Sequence, residues 1–201
     1  MNMLILILLS YLIGSIPFAL VIGKVFYKTD VREHGSKNLG GGNTGRVLGK
    51  RAGLSVMTLD VLKVSFVVFL ATRLQGTDTA IALSVLAAAT GHCYPVFAGF
   101  KGGKAVATMY GFMFGLILFS GYTPLLFLLP LLVFLLVLYF TKIISLSSMV
   151  SAATATGYAC LITDSVPILA AMAVFTVFII IRHKKNIERM IRRQENKISW
   201  M

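Results

Sequence analysis

Long apolar runs separated by short polar breaks dominate this chain. Residues 3–23 form the first run, which ends at Lys24 and Lys28. Roughly twenty apolar residues cross a bilayer as a helix, so this run predicts one span. Between Arg51 and Lys101 the apolar sequence is interrupted by Arg73, Gln75, Gly76, Thr77 and Asp78, predicting spans over 53–72 and 79–98. The stretch from Ala105 to Thr141 would be a helix of roughly 55 Å, nearly twice the hydrocarbon thickness, and must fold back. Gly121 and Pro124 mark the break, giving spans over 105–120 and 124–140. The stretch from Ser148 to Ile181 breaks at Thr163, Asp164, Ser165 and Pro167, giving 148–163 and 166–181. The predicted fold is an all-α integral membrane protein, one domain over residues 1–201 with seven transmembrane helices.

Composition agrees: 57% of the 201 residues are hydrophobic, with a mean hydropathy of +0.86. Such a chain lacks the polar exterior of a soluble domain. Nineteen Lys and Arg against seven Asp and Glu give a formal charge of +12. Cytoplasmic loops carry the excess of basic residues. With the N-terminus outside, all the basic residues except Lys63 and Arg73 fall on one face, which places the C-terminus in the cytoplasm. They sit in breaks between apolar runs, so anionic headgroups or small anions are the expected partners and nucleic acid is not. Cys93 and Cys160 lie in separate apolar segments without ligand spacing, and neither a disulfide framework nor a metal site is expected. The first run lacks a basic n-region and several more follow it, so a cleaved signal peptide is not expected.

The polar breaks on the basic face carry the candidate chemistry. The first contains His34, Gly35, Ser36, Lys37, Asn38, Leu39, Gly40, Gly41, Gly42, Asn43, Thr44, Gly45 and Arg46. Glycines let a backbone approach a ligand and turn N–H groups toward phosphate, Ser and Asn add neutral partners, and Arg46 supplies a fork for two oxygens. A flexible linker is the plain alternative. The second break, Gly99, Phe100, Lys101, Gly102, Gly103, Lys104, again joins glycines to cations. It lacks Walker spacing, since Ala98 and Ala105 stand where glycine and a magnesium-binding hydroxyl belong, so an ATPase is not supported. The third is expected to be a loop holding Ser145, Ser147 and Ser148. The last span ends in Arg182, His183, Lys184, Lys185 and Asn186, where His183 and Asn186 are expected to share a helix face; a headgroup anchor is the alternative.

Inside the second span Asp60 and Lys63 are three apart and can pair, and charges within a span are functional by default. A structural pair holding the bundle is the competing reading. His92, Tyr94 and Pro95 close the third span, either shaping a site or packing.

These residues resemble the bacterial acyl-phosphate:glycerol-3-phosphate acyltransferases (PlsY). The family pattern GSGN-x-GATN-x-x-R-x-x-G is met by Gly35, Ser36, Lys37, Asn38, then Gly40, Gly41, Gly42, Asn43, then Arg46 and Gly49. The pattern GH-x-YPVF-x-x-F-x-GGK-x-VAT is met by Gly91 to Thr108. A third part, SL-x-S and then RH-x-x-NI-x-R, is met by Ser145 to Ser148 and Arg182 to Arg189. Lys37 stands for a common glycine, Val64 follows Lys63 where glycine is usual, and Gly41–Gly42 replaces Ala-Thr, with Thr44 the nearest hydroxyl.

The resemblance implies transfer of an acyl group from acyl phosphate to the 1-hydroxyl of sn-glycerol 3-phosphate, yielding lysophosphatidic acid and inorganic phosphate as the first acylation of phospholipid synthesis. It implies a multi-pass protein of the bacterial cytoplasmic membrane with its site on the cytoplasmic side, no cofactor and no obligate protein partner. The expected catalytic residues are Ser36, Asn38, Arg46, Lys104, His183 and Asn186, with Gly35, Gly40, Asn43, Gly102, Gly103, Ser145 and Ser148 binding substrate. Acyl phosphate is a mixed anhydride with a good leaving group, so orientation and charge stabilisation suffice, and Ser36 reads as a ligand rather than a nucleophile. His183 and Glu188 share the spacing of the His-x-x-x-x-Asp motif of thioester-dependent acyltransferases by chance. An organic-phosphate transporter would favour a midplane site, and a lipid-binding scaffold would leave the amides and hydroxyls without a task.

Overall fold

The structure, a computed structural model, describes residues 2–198, and every regular element among them is helical. The first apolar run is two helices, α1 (Met3–Gly14) and α2 (Phe18–Tyr27). Pro17 breaks it, because proline lacks the N–H and its ring clashes with the carbonyl four residues back. The stretch Met3–Tyr27 as a whole is still long and apolar enough to cross a bilayer. There follow α3 (Gly41–Leu48), α4 (Lys50–Leu74), α5 (Asp78–Cys93) and a 3₁₀ turn at Val96–Ala98. Then come α6 (Val106–Ser120), α7 (Leu125–Thr141), α8 (Ile144–Ile162), α9 (Val166–Arg182) and α10 (Lys184–Ile191).

The breaks have local causes. Thr77 caps α5 by accepting from the Ala80 N–H at 3.2 Å. Gly121 ends α6 at φ +73°, where a side chain is disfavoured, and Pro124 stands at the start of α7. By length and apolar composition Met3–Tyr27, Lys50–Leu74, Asp78–Ala98 and Ile144–Ile162 can span a membrane. α9 makes a fifth if joined to α10, from which it bends by 56°. α6 and α7, of 15 and 17 residues, are apolar but shorter. Four spans, or five, among the described residues are thus long enough on their own, and the expected seven would need α6, α7 and α9 to cross as short helices.

In lipid, helices gain little from hiding apolar surface and associate where small residues let backbones touch. A Cβ on Gly14 would stand 2.1 Å from the Ala88 carbonyl oxygen, and one on Gly91 2.2 Å from that of Tyr11, so glycine sets the α1–α5 approach. Gly111 and Gly115 do the same for α6, whose added Cβ atoms would lie 2.4 Å from the Val61 carbonyl oxygen and 2.6 Å from Val68 Cβ on α4. Phe112 and Phe175 stack at 5.7 Å in the main core, which runs through α4, α5, α6, α8 and α9. A smaller cluster of Ala19, Ile22, Val31, Leu39, Ala52 and Val56 fixes α2 and the first glycine-rich segment against the start of α4. Leu128, Leu132, Leu136 and Phe140 form an exposed apolar stripe on α7, suited to lipid.

Candidate functional site at the basic end

At one end of the bundle the polar breaks converge. The first is a loop only to Gly40, because Gly41–Leu48 is helical; Asn43, Thr44 and Arg46 therefore stand on α3 and not in a loop. α3 owes its place to close packing: Cβ atoms on Gly41 and Gly53 would lie 2.1 Å from Met57 and 2.6 Å from Gly45. Asn43 is buried and committed inward. Its Nδ2 donates to the carbonyls of Val31 and His34 at 3.0 and 3.2 Å, and its Oδ1 accepts from the Ser36 N–H at 2.7 Å. Gly35 lies at φ +58°, where an added Cβ would meet Asn43 Oδ1. Asn43 thus frames the loop, and the Ser36 N–H is not free for a ligand. Ser36 itself is exposed, Asn38 half-buried and Arg46 exposed. Thr44 is fully buried and its hydroxyl donates to the Gly40 carbonyl at 3.1 Å, so it does not replace the missing threonine hydroxyl at position 42.

The second break is held from two sides. The Gly103 N–H donates to the His92 carbonyl at 2.9 Å and is likewise not free for an anion. Arg182 donates from Nε to the Gly103 carbonyl at 3.1 Å and from Nη2 to those of Gly102 and Gly103 at 3.3 and 2.9 Å. Its guanidinium also covers the Tyr94 ring, 5.0 Å from the centroid. Added Cβ atoms at Gly102 and Gly103 would fall 2.1 Å from the His92 carbonyl oxygen and 2.0 Å from His92 Nε2. These glycines therefore bring the backbone against α5 and deliver Lys104 to the site. Arg32 joins the first two breaks, held by Asp30 at 2.6 Å and donating to the Ala98 carbonyl at 3.5 Å.

The serines expected in a loop occupy the first two turns of α8. Ser147 and Ser148 donate to their own helix, at the carbonyls of Ile143 and Ile144, while Ser145 donates to Glu195 Oε1 at 3.0 Å. His183 and Asn186 do not share one continuous helix, since the chain turns at His183 between α9 and α10, yet both are buried. The bend brings Asn186 Oδ1 to the Lys104 ammonium.

Glu195 is the residue that sequence reasoning missed. Its carboxylate accepts from Ser145, Asn186 Nδ2 and Arg189 Nε, the last at 2.8 Å, and its side chain is only 7% exposed. The tail is held there by the Ile198 N–H, which donates to the Lys142 carbonyl at 2.9 Å. Burial acts to raise the Glu195 pKa, but the hydrogen bonds from Asn186, Arg189 and Ser145 outweigh it and hold the carboxyl below its ordinary value.

Burial pushes Lys104 down to about 8; Glu195 opposes the fall, and Arg189, Arg182 and Arg46 add to it. Burial, reinforced by Lys104, pushes His183 down to about 4. At neutral pH that imidazole is uncharged, and its Nδ1 bonds the Ile179 carbonyl at 2.8 Å, which places the proton there and leaves Nε2 as an acceptor. The cluster thus presents an ammonium, an amide, a neutral imidazole acceptor and nearby guanidiniums, a set suited to a phosphate and an adjacent hydroxyl.

A family model for glycerol-3-phosphate acyltransferase matches residues 4–193. A glycerol-3-phosphate acyltransferase of Geobacillus kaustophilus is 46% identical over 96% of this chain and 95% of its own. That of Bacillus subtilis is 43% identical over 98% and 97%. Among solved structures, PlsY, an integral membrane glycerol 3-phosphate acyltransferase, superposes in its glycerol 3-phosphate form with a TM-score of 0.91 at 35% identity, covering 99% of this chain and 96% of that one. Its lysophosphatidic acid form gives 0.89 at 34% identity.

Proposed function

This chain belongs to the glycerol-3-phosphate acyltransferase family, and from that premise we propose that acyl phosphate is its donor and lysophosphatidic acid its product. It is an enzyme of the membrane, similar throughout its length to PlsY. The 1-hydroxyl oxygen of sn-glycerol 3-phosphate bonds to the acyl carbon, and the bond from that carbon to the bridging phosphate oxygen breaks. The hydroxyl proton leaves with the departing group as inorganic phosphate.

The observation that carries this reading is the meeting of Lys104, His183 and Asn186, from two distant segments, in one basic cluster at the end of an apolar bundle. Lys104 and Arg46 hold the phosphate of glycerol 3-phosphate, Asn186 orients it, and neutral His183 accepts a hydrogen bond from the attacking hydroxyl through Nε2. A histidine with a pKa near 4 is a weak base, which favours the substrate's own phosphate as proton acceptor. Ser36, Asn38 and Gly40 serve the acyl-phosphate head, with Ser148 assisting once its hydroxyl turns from the Ile144 carbonyl to the phosphate. Asn43, Gly35, Gly102 and Gly103 shape the walls, and Ser145 acts through Glu195.

Seven crossings remain the proposed topology, with α6, α7 and α9 as short spans and the N-terminus outside. The basic cluster then faces the cytoplasm, where charge bias puts it and where a soluble glycerol phosphate arrives. The donor is tested by giving the purified protein palmitoyl phosphate or a palmitoyl thioester with glycerol 3-phosphate. Lysophosphatidic acid from the acyl phosphate alone is expected. Equal or faster turnover with the thioester would refute that choice of donor.

A further inference from the structure

Within the apolar bundle the ammonium of Lys63 is ion-paired with Asp60 and meets two further acceptors, while His92 Nδ1 itself lies 3.6 Å from Asp60 Oδ1. The ammonium lies 2.7 Å from Asp60 Oδ1, 2.9 Å from the Ile16 carbonyl and 3.2 Å from His92 Nδ1. Lys63 and Asp60 are almost fully buried. The Ile16 carbonyl is available because Pro17 interrupts the helix there. With its Nδ1 lone pair engaged, neutral His92 carries its proton on Nε2. That nitrogen faces Gly103, where an added Cβ would come within 2.0 Å of it, while the His92 carbonyl holds the Gly103 N–H. Gly103 is thus fixed between His92 and Arg182, one residue before Lys104.

We propose that Asp60, Lys63 and His92 are positioning residues that set the Gly102–Lys104 segment, and through it the affinity for glycerol 3-phosphate. An ion pair serving only to join helices needs no third partner, yet here the ammonium orients a ring that touches the segment carrying the anion-binding lysine. A displacement of about 1 Å in such a segment can cost about a hundredfold in rate. The proposal rests on the assignment of Lys104 to the phosphate of glycerol 3-phosphate.

The test is the double variant Asp60→Asn with Lys63→Met, measured in full-length protein in nanodiscs. Removing both charges avoids leaving one buried alone, so the unfolding temperature is expected within about 4 °C of wild type. With His92 released, KM for glycerol 3-phosphate is expected to rise roughly tenfold or more, while KM for palmitoyl phosphate is unchanged. An unaltered glycerol 3-phosphate KM, or both KM values moving with the unfolding temperature, overturns the proposal. If the double variant does not fold, His92→Asn and His92→Leu replace it. Asparagine offers an oxygen near the Nδ1 position, so its KM should lie closer to wild type, and equal KM values overturn the proposal. Lys104→Met is the control for the underlying assignment: if it leaves the glycerol 3-phosphate KM unchanged, that assignment fails and takes the proposal with it.

Discussion

Lys104 sets the pH response at the residue scale. With its pKa near 8, the protonated form prevails below that value and is lost above it. kcat/KM reports ionisations of the free enzyme and substrate. For glycerol 3-phosphate it should rise through about 6, as a phosphomonoester becomes dianionic, and fall as pH passes about 8. Lys104→Arg, whose guanidinium does not deprotonate, should lose the alkaline limb while lowering the plateau; a limb kept near 8 assigns it to another group. Position 42 offers a gain. A Cβ on Gly42 meets nothing within 4 Å, so the threonine of the family pattern fits there, whereas position 41 admits only glycine against Met57 and Gly53. Gly42→Thr should stabilise α3 by up to about 1 kcal/mol and lower one substrate KM, read by thermal unfolding and steady-state kinetics.

Glycine contacts decide stability at the scale of elements. Gly14→Ala drives a methyl into the Ala88 backbone and should cost about 1–3 kcal/mol, the usual range for overpacking. Gly157→Ala on α8 enters open space and should be neutral or stabilising by up to about 1 kcal/mol. Equal unfolding temperatures for the two variants would show that the α1–α5 approach is not set by glycine. The carboxyl-terminal tail has its own signature. Glu195 titrates below its ordinary value, so its stabilisation is complete above about 4.3, the unfolded pKa, and fades as pH falls through the lower folded value. Glu195→Gln should lower the unfolding temperature at pH 7 and remove that part of the acid loss; an unchanged acid profile would count against the contact with Arg189 and Asn186.

The same elements show what the sequence could reveal. Breaks at Gly121 and Pro124 are legible because glycine and proline act locally, whatever surrounds them, and the break at 163–165 because polar residues interrupt an apolar run. α3 is not, because Gly41 and Gly42 read as loop while the helix depends on packing against Gly53. Pro17 does not read as a break because unbroken hydrophobicity surrounds it. The turn of serines reads as loop by composition, though Ser147 and Ser148 return their hydroxyls to α8. Glu195 left no pattern, being one carboxylate in a basic tail nine residues beyond Asn186; its partners come from α8 and α10, which only the fold brings together. The pairing of Asp60 with Lys63 followed from spacing, but the third member, His92, did not.

As a whole, the molecule is an apolar bundle with its polar chemistry at one end. Burial, with Arg189, Arg182 and Arg46 from α10, α9 and α3 adding to it, depresses Lys104, and Glu195 offsets only part of the fall. Cysteine scanning in inside-out and right-side-out vesicles should label positions near Lys28, Lys101 and Lys185 from one side, and a position near Gly76 from the other. The most direct measurement is product stoichiometry in nanodiscs containing the purified chain. With palmitoyl phosphate and glycerol 3-phosphate together, lysophosphatidic acid and inorganic phosphate should form one for one, and Lys104→Met should reduce both by about a hundredfold or more without loss of fold. Phosphate released at the same rate without glycerol 3-phosphate, or undiminished turnover in Lys104→Met, would contradict the account.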